Sequence, residues 1–317
     1  MFSFIKFFQS LMNKMKRNKG LWFTLLSVIS VLGVIVSMSF IKIMTKDVKH
    51  KTYMHVYKQD IQELENVLNT QYDYLLSVGG VVAIHPDIIS NIGTKSDKSI
   101  NDLLINVEKT INERVHIDPI QVRYYAKDFE ASMSENKKYA DLVIETQTSI
   151  TGIVVNSNGT RIIAITPIVE NNATIGAIEV SQDIKVIKNS FEKLGKEFVF
   201  LLDKSQLVFM NLESKQGMTQ DIGERYKIFF HDYNSQFYTD LRKVNFDKLQ
   251  SDKYYIDSLY FVASDETIDI DGKKIGLFVI GESTKETNSF VNITQNLINS
   301  ITTVALGLVI SLILFMF

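Results

Sequence analysis

The stretch ITGIVVNSNGTRIIAITPIVENNATIGAIEVSQD, residues 150–183, decides the fold of this chain. It contains three short apolar runs, at Gly152–Val155, Arg161–Ile168 and Thr174–Ser181. Residues that favour tight turns separate the runs, at Asn156-Ser157-Asn158-Gly159 and Glu170-Asn171-Asn172. Short apolar runs bounded by Asn and Gly are typical of strands joined by hairpin turns. The stretch therefore predicts three consecutive antiparallel strands.

The residues before this stretch predict a fourth strand and two helices. After Pro119, the apolar residues Ile120, Val122 and Tyr124 alternate with Gln121, Arg123 and Tyr125, which is the period of a strand. A helix is predicted over Lys98–Val115, with one apolar face made of Leu103, Leu104, Val107, Ile111 and Val115. A longer helix is predicted to end at Gly79-Gly80, and its apolar stripe consists of Ile61, Leu64, Leu68, Tyr72 and Leu75. That stripe could be protein core, a dimer seam or both.

The residues after the stretch predict a closing helix and a second, weaker set of strands. The helix covers Asp183 to Gly195. Strands are predicted at Glu197–Leu202, Gln206–Met210, Lys253–Ala263 and Lys274–Gly281, while 211–250 has no clean period. Helices on one face of an antiparallel sheet make an α+β layer fold. The sequence thus predicts two stacked α+β modules, at 45–195 and 196–290, the second nearer to a membrane.

Two uncharged apolar runs flank these modules, at 21–41 and 297–317. At about 1.5 Å per residue the first reaches about 30 Å, the thickness of a bilayer's hydrocarbon core. The alternatives are a cleaved signal peptide for the first run and a buried core helix for the second. Residues 1–20 are basic and contain no acid, which predicts a cytoplasmic N-terminus. We therefore expect an inner-membrane protein with 45–295 outside and a cytoplasmic region following the second span.

Composition argues against several classes of function. The chain has no cysteine, which excludes thiol nucleophiles and thiolate metal sites. Its net charge of -2 gives no electrostatic basis for binding nucleic acid. The 5 histidines lack metal-ligand spacing, and no phosphate-binding loop or hydrolase motif occurs. The sequence therefore predicts no metal, no cofactor and no enzymatic activity.

The order of these segments resembles the double Cache sensors of bacterial chemoreceptors and sensor kinases. The resemblance is carried by IDPIQVRYYAKDF at 117–129 and by KYADLVIETQTSITGIVVNSNGTRIIAITPIVENNATIGAIEVSQDI at 138–184. It extends over about 45–295 and looks like the branch found in epsilonproteobacterial receptors. It implies a long N-terminal helix followed by two stacked PAS-like modules in the periplasm. It also implies a cytoplasmic signalling domain after the second span.

The resemblance also implies a ligand site in the distal module, between its sheet and the loops that cover it. Four positions resemble those of an amino-acid-binding branch: Arg123, Tyr125, Tyr139 and Glu179. Arg123 would bind a carboxylate and Glu179 an ammonium, while the tyrosines, with Tyr139 in a loop, would wall the pocket. The alternative is a structural pair of Arg123 and Glu179 across the sheet, with the tyrosines as half-buried core.

The favoured function is the ligand-sensing portion of a methyl-accepting chemotaxis protein that binds an amino acid or carboxylate. One alternative is the same module on a histidine kinase or diguanylate cyclase. Another is a membrane-anchored structural component without a ligand. A parallel homodimer is expected, with the helix at 48–76 packed against its twin.

Overall fold

A computed structural model describes residues 19–92, 97–114, 118–127, 136–217, 220–228 and 235–315. The chain divides into two compact units, one formed by Met54–Glu286 and the other by Met1–Tyr53 with Thr287–Phe317. Within the described residues, no helix combines the length and apolarity that crossing a membrane requires. The segment 1–20 lies almost wholly outside those residues, as do several side chains of 21–41 and 297–317. The membrane topology therefore remains a prediction.

The N-terminal helix α1, Lys19–Ala83, continues through the predicted break at Gly79-Gly80, so that prediction is wrong. Gly79 instead allows close packing. A Cβ at this position would lie 2.9 Å from Thr166 Oγ1 and 3.5 Å from Val180 Cγ2. A glycine pair inside a helix costs stability, but here one of the two lets the helix approach the sheet.

The apolar stripe of α1 contributes in part to the chain's own core. Leu64 is 2% exposed and Leu75 is 0% exposed. The other three stripe residues are partly buried: Ile61, Leu68 and Tyr72. The stripe is therefore core at two positions, and its use as a dimer seam remains a prediction.

Four antiparallel strands form the first sheet, in the order β1-β4-β3-β2. Their bounds are β1 Ile120–Ala126, β2 Ile150–Asn156, β3 Gly159–Glu170 and β4 Ala173–Asp183. The predicted strands are confirmed, each somewhat longer than predicted. Both connecting turns use positive φ, at Gly159 (106°), Asn171 (48°) and Asn172 (61°), as the Asn- and Gly-rich sequence indicated.

Helices cover both faces of this sheet, so the prediction of helices on one face is wrong. The helices of this part are α2 Pro86–Asn91, α3 Asp97–Arg114, α4 Lys137–Thr146 and α5 Lys185–Lys193. Helix α1 lies over the face that carries Thr166 and Val180. Helix α4 lies over the opposite face, where Ala140 and Val143 join a buried cluster with Ile163.

Six strands form the second sheet, in the order β6-β7-β5-β10-β9-β8, so it is larger than predicted. Their bounds are β5 Glu197–Asp203, β6 Gln220–Ile222, β7 Tyr226–Ile228, β8 Tyr254–Ile256, β9 Tyr260–Ile268 and β10 Lys274–Ser283. The accompanying helices are a 3₁₀ helix at Lys204–Phe209, α6 Leu212–Gly217, α7 Ser235–Leu241, α8 Phe246–Asp252 and α9 Thr284–Phe315.

Two strand predictions in the second module are wrong for local reasons. The predicted strand Gln206–Met210 is mostly 3₁₀ helix, because the Asp203 carboxylate accepts a hydrogen bond from Ser205 N at 3.0 Å and starts a helical turn. The predicted strand Lys253–Ala263 is two strands. Asp257 Oδ1 accepts hydrogen bonds from the backbone nitrogens of Leu259 and Tyr260, both at 2.7 Å, and so closes the turn between them.

Candidate ligand-binding site

The face of the first sheet beneath α4 carries charged residues in its middle. Successive residues of a strand point to opposite faces, so Arg123 and Tyr125 of β1 share this face. The register places Arg123 opposite Glu179 and Tyr125 opposite Ala177. Directly opposed residues have Cα atoms about 4.5–5.5 Å apart. The sheet therefore brings three of the four predicted site residues together: Arg123, Tyr125 and Glu179.

Glu179 is a carboxylate buried under α4, with 1% of its surface exposed. The Tyr125 hydroxyl donates to Glu179 Oε2 at 2.6 Å, and Asn136 Nδ2 donates to the same oxygen at 3.1 Å. Burial of a carboxylate costs several kcal/mol unless hydrogen bonds or an opposite charge compensate. Two neutral donors stabilise the carboxylate without cancelling its charge, so it can still attract a cation.

Arg123 is half-buried on the same face. Among the residues that the structure describes, its guanidinium takes part in no hydrogen bond or ion pair, although Glu179 lies opposite it. The structural ion pair that the sequence also allowed is therefore not formed within the described part of the chain. A guanidinium presents donors in a planar fork that matches a carboxylate.

Tyr139 lies on α4 and not in a loop, so the predicted position is wrong. Its side chain is 9% exposed and belongs to the buried cluster that includes Tyr125. Burial raises the pKa of the Tyr139 hydroxyl, which lies near Lys138 and Asp271. The ring can therefore wall the site, while the hydroxyl lies near a turn of the second sheet.

Sequence reasoning missed two residues of this face, Asn136 and Arg161. Asn136 is the N-cap residue of α4, is 2% exposed and contacts Glu179. Arg161 is 7% exposed and donates from Nε to Ser181 Oγ at 3.1 Å. Burial lowers the pKa of Arg161; Asp183 opposes this effect and the nearby charge of Arg123 adds to it. Alternation along β3 could have placed Arg161 on this face, but only with the register known.

The arrangement combines a guanidinium without a described partner, a buried carboxylate and two tyrosine rings. A guanidinium binds a carboxylate through paired hydrogen bonds, and a carboxylate accepts hydrogen bonds from an ammonium. Aromatic side chains commonly line small-molecule sites, where a few polar groups fix the orientation of the ligand. The face thus has the chemistry needed to hold a small zwitterion.

Comparison with protein families identifies the family of the fold. Residues 50–287 match the double Cache model described as the double sensory domain of two-component sensor kinases. The chain belongs to this family. The match covers both sheets and most of the chain, so the family resemblance inferred from the sequence is confirmed. In this double Cache protein the first sheet, with its buried charges, is one sensory module and the second sheet is the other.

Several solved sensor domains are similar to this double Cache chain at low identity. The sensor domain of the V. cholerae histidine kinase DctB is 11% identical, with 73% of this chain and 98% of that chain covered and a TM-score of 0.40. The ligand-binding domain of the Campylobacter jejuni chemoreceptor Tlp3, in complex with L-valine, is 11% identical, with 76% and 97% covered and a TM-score of 0.40. A domain of a putative sensory box/GGDEF family protein from Vibrio parahaemolyticus is 12% identical, with 76% and 99% covered and a TM-score of 0.42. No curated protein matches the chain in sequence.

Proposed function

We propose that residues 45–295 are the periplasmic ligand-sensing portion of a methyl-accepting chemoreceptor in the bacterial inner membrane. The ligand is a small amino acid or carboxylate, bound on the face of the first sheet under α4. The supporting observation is that Arg123 and Glu179 lie opposite each other without an ion pair between them within the described residues. Charges held in a core without direct neutralisation lower stability, and such charges are commonly retained for binding. The module itself has no enzymatic activity.

In this proposal each charge binds one end of the ligand. Arg123 binds the ligand carboxylate, and Glu179, held by Tyr125 and Asn136, binds the ammonium. The rings of Tyr125 and Tyr139 enclose the apolar part of the ligand. A charge-assisted hydrogen bond contributes about 1.5–3 kcal/mol, so Arg123→Ala should weaken binding roughly ten- to hundred-fold.

The test is a thermal-stabilisation screen of the full chain against amino acids and small carboxylates, followed by calorimetry with each compound that raises the melting temperature. Arg123→Ala should lose affinity and keep its melting temperature. Arg114→Ala is the matched control, because it removes an exposed arginine from α3 of the same module. Unchanged affinity in folded Arg123→Ala would place the ligand elsewhere. A screen in which no compound stabilises the chain favours the structural component.

A histidine kinase is the second candidate, because the matching family is described as the double sensory domain of two-component sensor kinases. A diguanylate cyclase would use the same kind of sensor. The gene sequence beyond codon 317 tests these outputs. A long helical hairpin with heptad repeats indicates a chemoreceptor, whereas a kinase or cyclase core indicates the alternatives.

Membrane topology and dimerisation are part of the same proposal. The chain has no cysteine, so single introduced cysteines can be labelled without background. A cysteine at exposed Asn158 should react with an impermeant reagent once the outer membrane is opened. Cysteines placed along 50–72 should form disulfides with a helical period if α1 packs against its twin. Protection of residue 158, or crosslinks without a period, would contradict the topology or the dimer respectively.

A further inference from the structure

A turn of the second sheet reaches the first sheet. The turn joins β9 to β10 at residues 269–273. Ile270 N donates to Ile153 O of β2 at 2.9 Å. The Ile270 side chain occupies the space above Gly152, where a Cβ would lie 2.8 Å from Ile270 Cβ. Ile270 also packs against the buried cluster beneath α4.

The shape of this turn is fixed by its own hydrogen bonds. Asp269 Oδ1 accepts from Asp271 N at 3.0 Å and from Lys273 N at 2.7 Å. Asp269 N donates to Lys273 O at 2.8 Å, and Gly272 has a φ of 78°. These bonds link Asp269 and Asp271 to Lys273, which precedes the first residue of β10, Lys274. We therefore expect a displacement of Ile270 or Asp271 to reach the start of β10.

The first turn of α4 contacts the 269–273 turn. Lys138 Nζ forms an ion pair with Asp271 Oδ2 and lies 4.4 Å from the centroid of the Tyr139 ring. The hydrogen bond from Lys138 lowers the pKa of Asp271. The first turn of α4 thus binds a carboxylate of the other sheet's turn through Lys138.

The same turn of α4 contacts the candidate ligand site. Asn136, which precedes α4, donates to Glu179 Oε2 at 3.1 Å, and its carbonyl accepts from Tyr139 N at 3.0 Å. Asn136 and Tyr139 therefore belong to a single helical turn. Asn136, before this turn, contacts Glu179, and Lys138, within it, contacts Asp271.

Strand β10 connects this contact to the far side of the second sheet. It pairs with β5 and β9 along its length. Near its end, Glu282 Oε1 lies 3.7 Å from Lys196 Nζ, and Lys196 is also 2.7 Å from Asp60 Oδ1 of α1. The strand is therefore held at its beginning by the α4 contact and at its end by a buried ion cluster.

We propose that the first turn of α4 and the 269–273 turn form a joint that transmits the state of the Glu179 site to β10. Ligand binding under "Proposed function" supplies the event that operates the joint. A ligand that binds Glu179 changes the strength of the hydrogen bond that Asn136 donates to it. Helix α4 then shifts, and its contacts with Asp271 and Ile270 displace the hairpin.

Hydrogen exchange on the full chain tests the joint without any ligand. Asn136→Ala removes the contact with Glu179 and should speed exchange of the Ile270 amide and of the β10 amides about two- to ten-fold. Asp271→Ala removes the acceptor for Lys138 and should produce a similar increase at Ile270. Adding Asn136→Ala to Asp271→Ala should give little further increase, because the connection is already broken. If Asn136→Ala does not fold, Asn136→Ser keeps a good N-cap residue and still cannot reach Glu179.

The matched control is Lys137→Ala. Lys137 lies in the same turn of α4, but within the described residues its side chain pairs only with Asp141 of that helix, at 2.9 Å. The Lys137→Ala variant should leave hydrogen exchange of the Ile270 amide unchanged. The joint is refuted if Asn136→Ala leaves the hairpin unchanged, or if the two variants act independently and their effects multiply. Because no ligand is used, a failed ligand screen does not affect this result. If the joint is refuted, calorimetry with Arg123→Ala still tests ligand binding separately.

Discussion

The two sheets bury different kinds of side chain. Under α4 the first sheet buries Glu179 and Arg161 within its face. The core of the second sheet is a cluster of aromatic and aliphatic residues such as Phe237, Leu277 and Val279. Its buried acids Asp203 and Asp240 each lie 2.6 Å from a basic side chain, Arg225 and Lys243 respectively. Burial of apolar side chains stabilises a core, whereas a buried charge without an ion pair reduces stability. This difference supports the proposal that the first sheet binds the ligand and the second sheet supports it.

The strongest test of this comparison is a cavity in the second sheet. Phe237 is 0% exposed, its ring centroid lies 4.9 Å from that of Tyr260, and it covers Gly281. Phe237→Ala should lower the free energy of unfolding by about 3–5 kcal/mol, measured with urea. Phe209→Ala is the control, because Phe209 is 57% exposed, and it should change stability by less than about 0.5 kcal/mol. A small loss from Phe237→Ala would mean that the second sheet contributes little support.

The next test concerns a charge buried outside the first sheet. Asp60 is 0% exposed; its Oδ1 lies 2.7 Å from Lys196 Nζ, and its Oδ2 has no hydrogen-bond partner among the described residues. Burial raises the pKa of Asp60 to about 6, against the attraction of Lys196 and with the repulsion of Glu282 and Glu63. This value lies above that of an unfolded chain, about 4. The protonated form therefore stabilises the fold, and that contribution is lost as the pH rises through about 6.

Asp60→Asn should remove this pH dependence. Between pH 7 and pH 4 the wild-type chain should gain up to about 3 kcal/mol relative to the variant. Urea unfolding at several pH values measures the difference between the two proteins, so carboxylates common to both cancel. Glu63→Gln is the control, since Glu63 contacts the same lysine, at 2.6 Å, from a more exposed position. A constant difference between wild type and Asp60→Asn across this range would show that folding does not raise the pKa of Asp60.

The sequence predicted the strands of the first sheet well because their signals are local. Alternating apolar residues and turns such as Asn171-Asn172 need no knowledge of distant contacts. The end of α1 was missed for the opposite reason. Gly79-Gly80 has the same local signature whether it breaks a helix or lets it approach a sheet, and only Thr166 and Val180 decide which. The 3₁₀ helix after β5 begins where the backbone nitrogen and the hydroxyl of Ser205 both donate to the Asp203 carboxylate.

The sequence predicted the three candidate site residues whose positions follow from the pairing of neighbouring strands. Arg123, Tyr125 and Glu179 lie together because β1 and β4 pair directly, and their role in binding is still a prediction. Helix α4 was missed, although Tyr139, Ala140, Val143 and Ile144 have helical spacing and are all buried. Asn136 has no comparable signal, because its contact with Glu179 depends on where α4 packs.

A smaller effect on stability is expected from removing the charge that distinguishes the first sheet. Glu179→Gln keeps an acceptor for the Tyr125 hydroxyl and removes the buried charge. Its free energy of unfolding should stay within about 1 kcal/mol of wild type or rise. Affinity for a stabilising amino acid should fall about ten-fold or more in calorimetry. Glu170→Gln, at the exposed end of β3, should change neither quantity. A large loss of stability in Glu179→Gln would mean that this charge is structural.

The smallest effect is expected at the rim of the first sheet, in the turn between β3 and β4. Glu170 pairs with Ala173, so Asn171 and Asn172 are the two central residues of the turn, with φ of 48° and 61°. Both angles lie in the left-handed region, where glycine has no steric cost and asparagine a modest one. Asn172→Gly gives the Asn-Gly pair that this turn type prefers and should raise the free energy of unfolding by roughly 0.5 kcal/mol or less. Asn172→Ala should lower it by about 1 kcal/mol, because alanine has no local hydrogen bond to offset the strain.

Thermal unfolding of the two variants measures both changes, and ligand affinity should be unaffected in each. A change of affinity in either variant would show that the rim of the sheet and the face under α4 are coupled, and the division between supporting and binding regions would then have to be drawn within the first sheet.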